Sequence, residues 1–423
     1  MKTKAVRLYG EKDLRLEEFE LPPIREDEIL ARVISDSICM STYKAASQGI
    51  RHKRIPDDVA GNPVIVGHEF CGEIVEVGEK WAAEFQPGSK FSIQPAINFE
   101  NGPVGIASAP GYSYRYIGGA SQYVVIPAEV MQAHCLLPFA GDAYYLGSLA
   151  EPMSCIVGAF HASYHTSPGS YQHRMGIAKG GAMAVLAGAG PMGLGAIDYA
   201  VHCDRNPSLL VVTDIDRDRL ARAESLFPPD EAKAHGVKLS YVNVAEEGKG
   251  ADYLKSLTPA GKGFDDVFVY APVRQVVEMA DAILGFDGCL NFFAGPTDPQ
   301  FRAEFNFYNV HYAATHLVGT SGGNTDDMME SLQMMESGRL NPSAMVTHVG
   351  GLDAVIDTTL NLPSIPGGKK LIYNGIRMPL TALAELEDQK SPQCRALGEI
   401  VERHNGLWSP EAEAYLLANA TAI

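Results

Sequence analysis

The chain has 423 residues, 46% of them hydrophobic and 20% charged, and a formal net charge of -17. That composition is that of a globular protein too long for a single core, so two domains are expected. The acidic balance argues against a nucleic-acid partner, whose phosphates are neutralised by Lys and Arg.

The N-terminal stretch MKTKAVRLYGEKDLRLEEFE has no uninterrupted apolar run and soon turns acidic, unlike a signal peptide. Residues 1 to about 150 then hold a dense series of short β-patterned runs: KAVRLYG, EILARVIS, PVIVGHEF, GEIVEVG, KFSIQPAI and SQYVVIP. A mostly β domain, barrel-like or sandwich-like, is expected there. From about residue 182 the rhythm changes. AMAVLAGAG reads as a buried strand, PMGLGAIDYAVHC as a helix, SLLVVTD as a strand and DRDRLARAESLF as an amphipathic helix. DDVFVYA, VRQVVEMADAIL and GCLNFFAG continue the alternation, which points to βαβ units around a parallel sheet. A helix over TDDMMESLQMMESG follows, and residues from about 376 to the end read as helical.

The seven cysteines, at 39, 71, 135, 155, 203, 289 and 394, form no C-x-x-C pair, so neither a disulfide framework nor a cysteine-only zinc knuckle is suggested. Residues 181–201 are apolar enough to suggest a membrane span by length, but their glycines, Pro191 and Asp198 fit a glycine-rich loop better. A cytoplasmic protein with no membrane partner is the expectation.

Two stretches carry chemistry. In LAGAGPMG, Gly188, Gly190 and Gly193 have G-x-G-x-x-G spacing, with Pro191 and Met192 between the last two. The loop follows a strand pattern and opens a helix pattern, and Asp214 closes the next strand. This is the context in which such glycines cradle a dinucleotide pyrophosphate at a helix N-terminus. Asp214 can accept hydrogen bonds from an adenosine ribose and repels a 2′-phosphate, which favours NAD(H). Arg219, five residues on, could assist a 2′-phosphate, so NADP(H) stays open. In PVIVGHEFCGEIVEVG an apolar run stops at Gly67 and delivers His68 and Glu69 where a strand ends. They are either a solvated turn or donors facing something that needs nitrogen and oxygen.

Gly67-His68-Glu69 with Gly72 and Gly78 spells G-H-E-x-x-G-x-x-x-x-x-G, with Cys39 in DSICMSTY upstream and Glu151 in SLAEPMSC downstream. In these motifs and the glycine-rich loop, residues 1 to about 373 resemble the zinc-dependent medium-chain dehydrogenases. The resemblance implies an α/β fold with a GroES-like, mostly β catalytic domain (1–160 and 319–423) and a Rossmann nucleotide-binding domain (161–318). It implies one catalytic zinc on Cys39, His68 and Glu151 with an open fourth position, and Glu69 as a neighbouring group or occasional ligand. Where the family has Cys-Gly-Ser-Asp, this chain has Cys39-Met40-Ser41-Thr42; Ser41 keeps the hydroxyl that passes the substrate proton, and Thr42 lacks the carboxylate. Lys44 takes the place of an outer histidine, and whether it carries the proton or binds substrate is open. Residues 91–120 contain no cysteine, so the structural zinc of many members is not expected. Zinc would polarise a ketone oxygen while the nicotinamide delivers hydride. A homodimer or homotetramer is the family's usual state.

A glutamate third ligand accompanies polyol substrates in the family. SICMSTYKAA, GYSYRYIGGASQYVVIP, GDAYYLGSLAEPMSCIVGAFHA and the extension beyond 375 resemble members that act on phosphorylated ketoses. They imply reduction of the C2 ketone of L-sorbose 1-phosphate to D-glucitol 6-phosphate. The alternative is a dehydrogenase of an unphosphorylated polyol or secondary alcohol, sorbitol or threonine dehydrogenase-like. A phosphate needs cations, and Arg51, Lys53 and Arg54 in GIRHKRIPDD, with Lys44 and Arg115, are the candidates. A solvated surface loop is the plainer reading of that run. His161 and His165 have helical i, i+4 spacing but no third ligand nearby, which suggests helix surface or packing.

Overall fold

Short runs rich in β-branched and aromatic residues become antiparallel strands in the first third of the chain. The computed structural model describes every residue except Pro168. It divides into one unit of residues 1–152, 324–338 and 346–423, and a second of 153–323 and 339–345.

The first unit is built on a sheet ordered Thr381–Ala382, Val346–Gly351, Lys369–Tyr373, Ile29–Ile38, Phe70–Val77, Lys90–Ile93 and Leu136–Pro138. Tyr123–Ile126 pairs with the first half of Ile29–Ile38. Only Val346–Gly351 and Lys369–Tyr373 run parallel to each other. Register positions the site. Lys370 lies opposite Ile38 and Asp36 opposite Phe70, so Lys369 and Glu69 are drawn to the end of the strand that Cys39 follows. A second sheet, Asp13–Glu20, Lys2–Gly10 and Val64–Ile65, leads into His68.

The C-terminal extension is part of this unit's core. Helix Pro392–Arg403 buries Leu397, Ile400 and Val401, the i, i+3, i+4 stripe of an amphipathic helix. With Trp408 and with Leu416 of helix Pro410–Asn419, they pack on Tyr145, Leu149 and Tyr373.

In the second unit six strands run parallel, in the order Lys238–Asn243, Leu209–Asp214, Ala182–Leu186, Phe264–Val269, Leu284–Phe292, His316–Gly319. In chain order this is 3-2-1-4-5-6, the doubly wound dinucleotide-binding sheet, with its switch point beside Ala182–Leu186. Strand Leu209–Asp214 is buried throughout, as a parallel strand covered on both faces should be. The protein is therefore α/β, with a mostly β unit and a Rossmann sheet.

The i, i+4 histidines do not share a helix. Helix Ala150–Ala162 ends after His161, and His165 lies on strand Tyr164–Thr166, where an aromatic and a β-branched residue extend the chain. His165 instead faces Asp266 at 3.3 Å and the Asp287 carbonyl at 3.0 Å. Among the described residues no helix is long and apolar enough to cross a membrane.

Candidate active site

Cys39 ends strand Ile29–Ile38 and occupies the N-cap position of helix Met40–Gln48. His68 and Glu69 follow Val64–Ile65 through Gly67, whose φ of +92° lies in the region that favours glycine. A Cβ there would stand 2.4 Å from the Asp36 carboxylate and 2.8 Å from the Ala120 nitrogen. The chain therefore turns inward and delivers both side chains buried. The Cys39 sulfur, a His68 ring nitrogen and a Glu69 oxygen all lie within 4.8 Å of one another.

Each donor is oriented by a neighbour. Thr42 Oγ1 is 3.2 Å from His68 Nδ1. A proton on Nδ1 shared with Thr42 leaves the Nε2 lone pair facing the cluster. Thr42 thus orients the imidazole through a hydroxyl. Burial first, then Lys369 and Arg54, lower the His68 pKa to about 4 against the pull of Glu69, so the ring is neutral at physiological pH. Ser41 Oγ donates to Cys39 Sγ at 3.1 Å and lies 3.3 Å from His68 Nε2. The hydroxyl of Tyr112 is also 3.3 Å from that nitrogen.

Behind the cluster, Lys369 Nζ donates to Glu69 Oε1 at 2.5 Å, and both side chains are buried. Burial works against charge on both. The pair nonetheless holds the glutamate below, and the lysine above, its ordinary range. Among the described residues Glu69 Oε2 has no hydrogen-bond partner. Burial, then the charges of Glu69 and Glu151, push the Cys39 thiol up to about 12. Glu151 lies half-buried in the first turn of helix Ala150–Ala162. Its charge acts on Cys39, Lys369 and Tyr112, but it stands outside the 4.8 Å group.

The cationic candidates separate. Arg51 is exposed and pairs with Glu11 at 2.8 Å. Lys53 is exposed. Arg115 lies over the Tyr116 ring and lines a different cavity, with Arg25 and Pro127. Lys44, half-buried on helix Met40–Gln48, adds its charge to those acting on His52. Arg54 lies over the Tyr112 ring, 5.2 Å from its centroid.

In the second unit the glycine-rich loop joins Ala182–Leu186 to helix Pro191–His202, with Gly190 at the N-cap and Pro191 and Met192 opening the first turn. A Cβ on Gly193 would meet the Gly188 carbonyl at 2.1 Å, whereas one on Gly190 meets nothing within 4 Å. The third glycine is thus required by packing, and the second leaves room for a ligand. Asp214 ends its strand buried and accepts from the Ala189 N–H at 3.2 Å and the Ile215 N–H at 2.8 Å. Arg219 is exposed and pairs with Asp216 at 3.5 Å.

Residues 25–135 match the alcohol dehydrogenase GroES-like domain. Over 418 residues the chain is 54% identical to mannitol-1-phosphate 5-dehydrogenase of Aliivibrio fischeri, covering 98% of this chain and 97% of that protein. It is 51% identical over 421 residues to L-sorbose 1-phosphate reductase of Klebsiella pneumoniae, covering 100% and 98%. The chain belongs to the zinc-dependent medium-chain dehydrogenases. Galactitol-1-phosphate dehydrogenase from Escherichia coli shares the fold, with a TM-score of 0.65 at 20% identity over 88% of this chain and 99% of that one.

The donors of this zinc-dependent dehydrogenase suit its metal. A thiol, a neutral imidazole and carboxylates are the ligands zinc takes. Without a metal, burial and the charges of Glu69 and Glu151 keep the Cys39 thiol protonated, and among the described residues Glu69 Oε2 is orphaned. Lys369 and Tyr112 were not visible as site residues in the sequence. Lys369 lies 300 positions from Glu69 and is brought there by strand pairing. Tyr112 sits in the motif GYSYRYIGG, where a tyrosine-rich turn was the only signal.

Proposed function

We propose that this protein is a ketose-phosphate reductase that converts L-sorbose 1-phosphate to D-glucitol 6-phosphate with NAD(H). The observation that carries this reading is identity above half, over nearly the whole chain, to two relatives named for sugar phosphates. Cys39, His68 and Glu151 are the proposed zinc ligands, with the Glu69–Lys369 pair behind them. The metal would polarise the substrate oxygen, and the nicotinamide would carry the hydride. For the reduction, Ser41 hands a proton inward to the substrate oxygen, and Lys44, one helical turn on, is its outer donor. Gly188, Gly190, Pro191, Met192 and Gly193 cradle the pyrophosphate. Asp214 receives the ribose and favours NAD(H), while Arg219, paired with Asp216, is not committed to a 2′-phosphate. The catalytic role is assigned to the unit of residues 1–152 and the nucleotide role to that of 153–323. We place the protein in the cytoplasm as a homodimer or homotetramer. In support of assembly, edge strand His316–Gly319 and helix Phe307–Tyr312 expose Leu317, Phe307, Tyr308 and Tyr312.

Purified protein of measured zinc content, assayed with NADH and NADPH on L-sorbose 1-phosphate and L-sorbose, tests the reading. A strong preference for the phosphorylated ketose and for NADH is expected. Activity should vanish with a chelator and return with zinc. Equal rates on the two ketoses would overturn the phosphate assignment in favour of a polyol dehydrogenase.

A further inference from the structure

This inference rests on the ketose-phosphate reading and concerns where the phosphate binds. Tyr112 is fully buried and spans from the metal-ligand cluster to the basic loop of residues 51–54. At one end its hydroxyl is 3.3 Å from His68 Nε2. Over its ring lie the Arg54 guanidinium, 5.2 Å from the centroid, and the His52 ring, 5.9 Å away and within 9° of parallel.

The backbone of Arg54 is fixed to the same loop as Tyr112. Ser113 Oγ donates to the Arg54 carbonyl at 2.7 Å, and the Arg54 N–H donates to His52 Nδ1 at 3.3 Å. The guanidinium is half-buried, and among the described residues no carboxylate or other hydrogen-bond acceptor pairs with it. Arg51, by contrast, is matched by Glu11. A partly desolvated guanidinium whose donors are unused is an incomplete site, and its planar fork fits a phosphate.

The Tyr112 ring also packs against the His68 ring, with centroids 4.8 Å apart and planes tilted by 36°, so one buried phenol touches both the imidazole of the metal-ligand cluster and the guanidinium. We propose that Arg54, seated on Tyr112, is the phosphate receptor of the active site.

The test uses zinc-loaded protein, Arg54→Gln, Arg54→Lys and, as a comparator, Arg51→Gln. Rates are measured on L-sorbose 1-phosphate, D-fructose 6-phosphate and L-sorbose, and binding of D-glucitol 6-phosphate by calorimetry. Arg54→Gln should lower kcat/KM for L-sorbose 1-phosphate about 30-fold, chiefly through KM, and weaken D-glucitol 6-phosphate by a similar factor. The loss should be at least about tenfold greater than that on L-sorbose, with partial recovery in Arg54→Lys. An Arg54→Gln protein that binds the hexitol phosphate normally, or loses L-sorbose activity equally, overturns the Arg54 assignment while leaving the function intact. A wild type inactive on both ketose phosphates overturns the function and this inference with it.

Discussion

Two carboxylates bear on the Cys39 thiol, and Lys369 is bonded to one of them. Glu69 shares its charge with a buried ammonium, so Glu151 is the better candidate for a full metal ligand. Glu151→Gln is therefore expected to lower bound zinc well below one per chain. Glu69→Gln should keep its zinc and lose about tenfold in kcat. Elemental analysis beside steady-state rates separates the two, and the reverse pattern would exchange their roles. Lys369→Met strands a buried carboxylate and should cost about 3 kcal/mol in denaturant unfolding at fixed zinc. The double variant Glu69→Gln/Lys369→Met should lose less than the sum of the singles, because neither partner is left charged and alone. At this scale the sequence was informative only locally. His68 and Glu69 stand out by residue type where a strand ends, and Cys39 only through the resemblance to the family. Lys369 and Tyr112 do not, because a strand register and a loop crossing bring them in from 300 and 44 positions away.

The glycine-rich loop lets packing and ligand binding be tested apart. In Gly193→Ala the new methyl meets the Gly188 carbonyl, so helix and strand must separate. That variant should unfold at lower temperature and lose dinucleotide affinity together. In Gly190→Ala the methyl enters open space, so stability should hold while NADH binding weakens about tenfold or more, as read by fluorescence titration. Equal thermal losses in both variants would mean that the second glycine is structural. The βαβ alternation was legible because the central parallel strands Ala182–Leu186 and Leu209–Asp214 are buried throughout and read as apolar runs between helical patterns. The β-rich unit was legible only as a class. Its Val64–Ile65 strand is two residues long, and its pairings join segments far apart, which periodicity cannot report. His161 and His165 were misplaced for a related reason: the spacing was helical, but the helix ended between them.

At the scale of the whole molecule, the C-terminal extension reaches the site through the core of its own unit. Trp408 is buried and donates to the Tyr373 hydroxyl at 2.8 Å, which in turn donates to Glu413 at 2.7 Å. The other acceptances of Glu413 come from the N–H groups of Tyr144, at 2.6 Å, and Tyr145, at 2.8 Å. Those N–H groups open the short helix Tyr144–Ser148, two residues before the helix that carries Glu151. The extension therefore clamps the segment that presents a proposed zinc ligand. Trp408→Ala should cost about 3–5 kcal/mol through lost packing and the loss of the hydrogen bond that the Tyr373 hydroxyl accepts. Glu413→Leu strands two buried N–H donors and should lower zinc affinity as well as stability. Burial raises the Glu413 carboxyl above its ordinary range, against the Tyr373 and backbone hydrogen bonds. A raised folded-state value means that its contribution to stability is complete below the unfolded value of about 4.3 and is lost as pH rises through the folded one. Glu413→Gln keeps an acceptor without a proton to lose. Its stability should fall less than that of wild type as pH is raised from about 4.5 to 7, measured by denaturant unfolding at constant zinc. Parallel pH profiles for the two proteins would show that Glu413 is no more costly to ionise in the fold than in the unfolded chain.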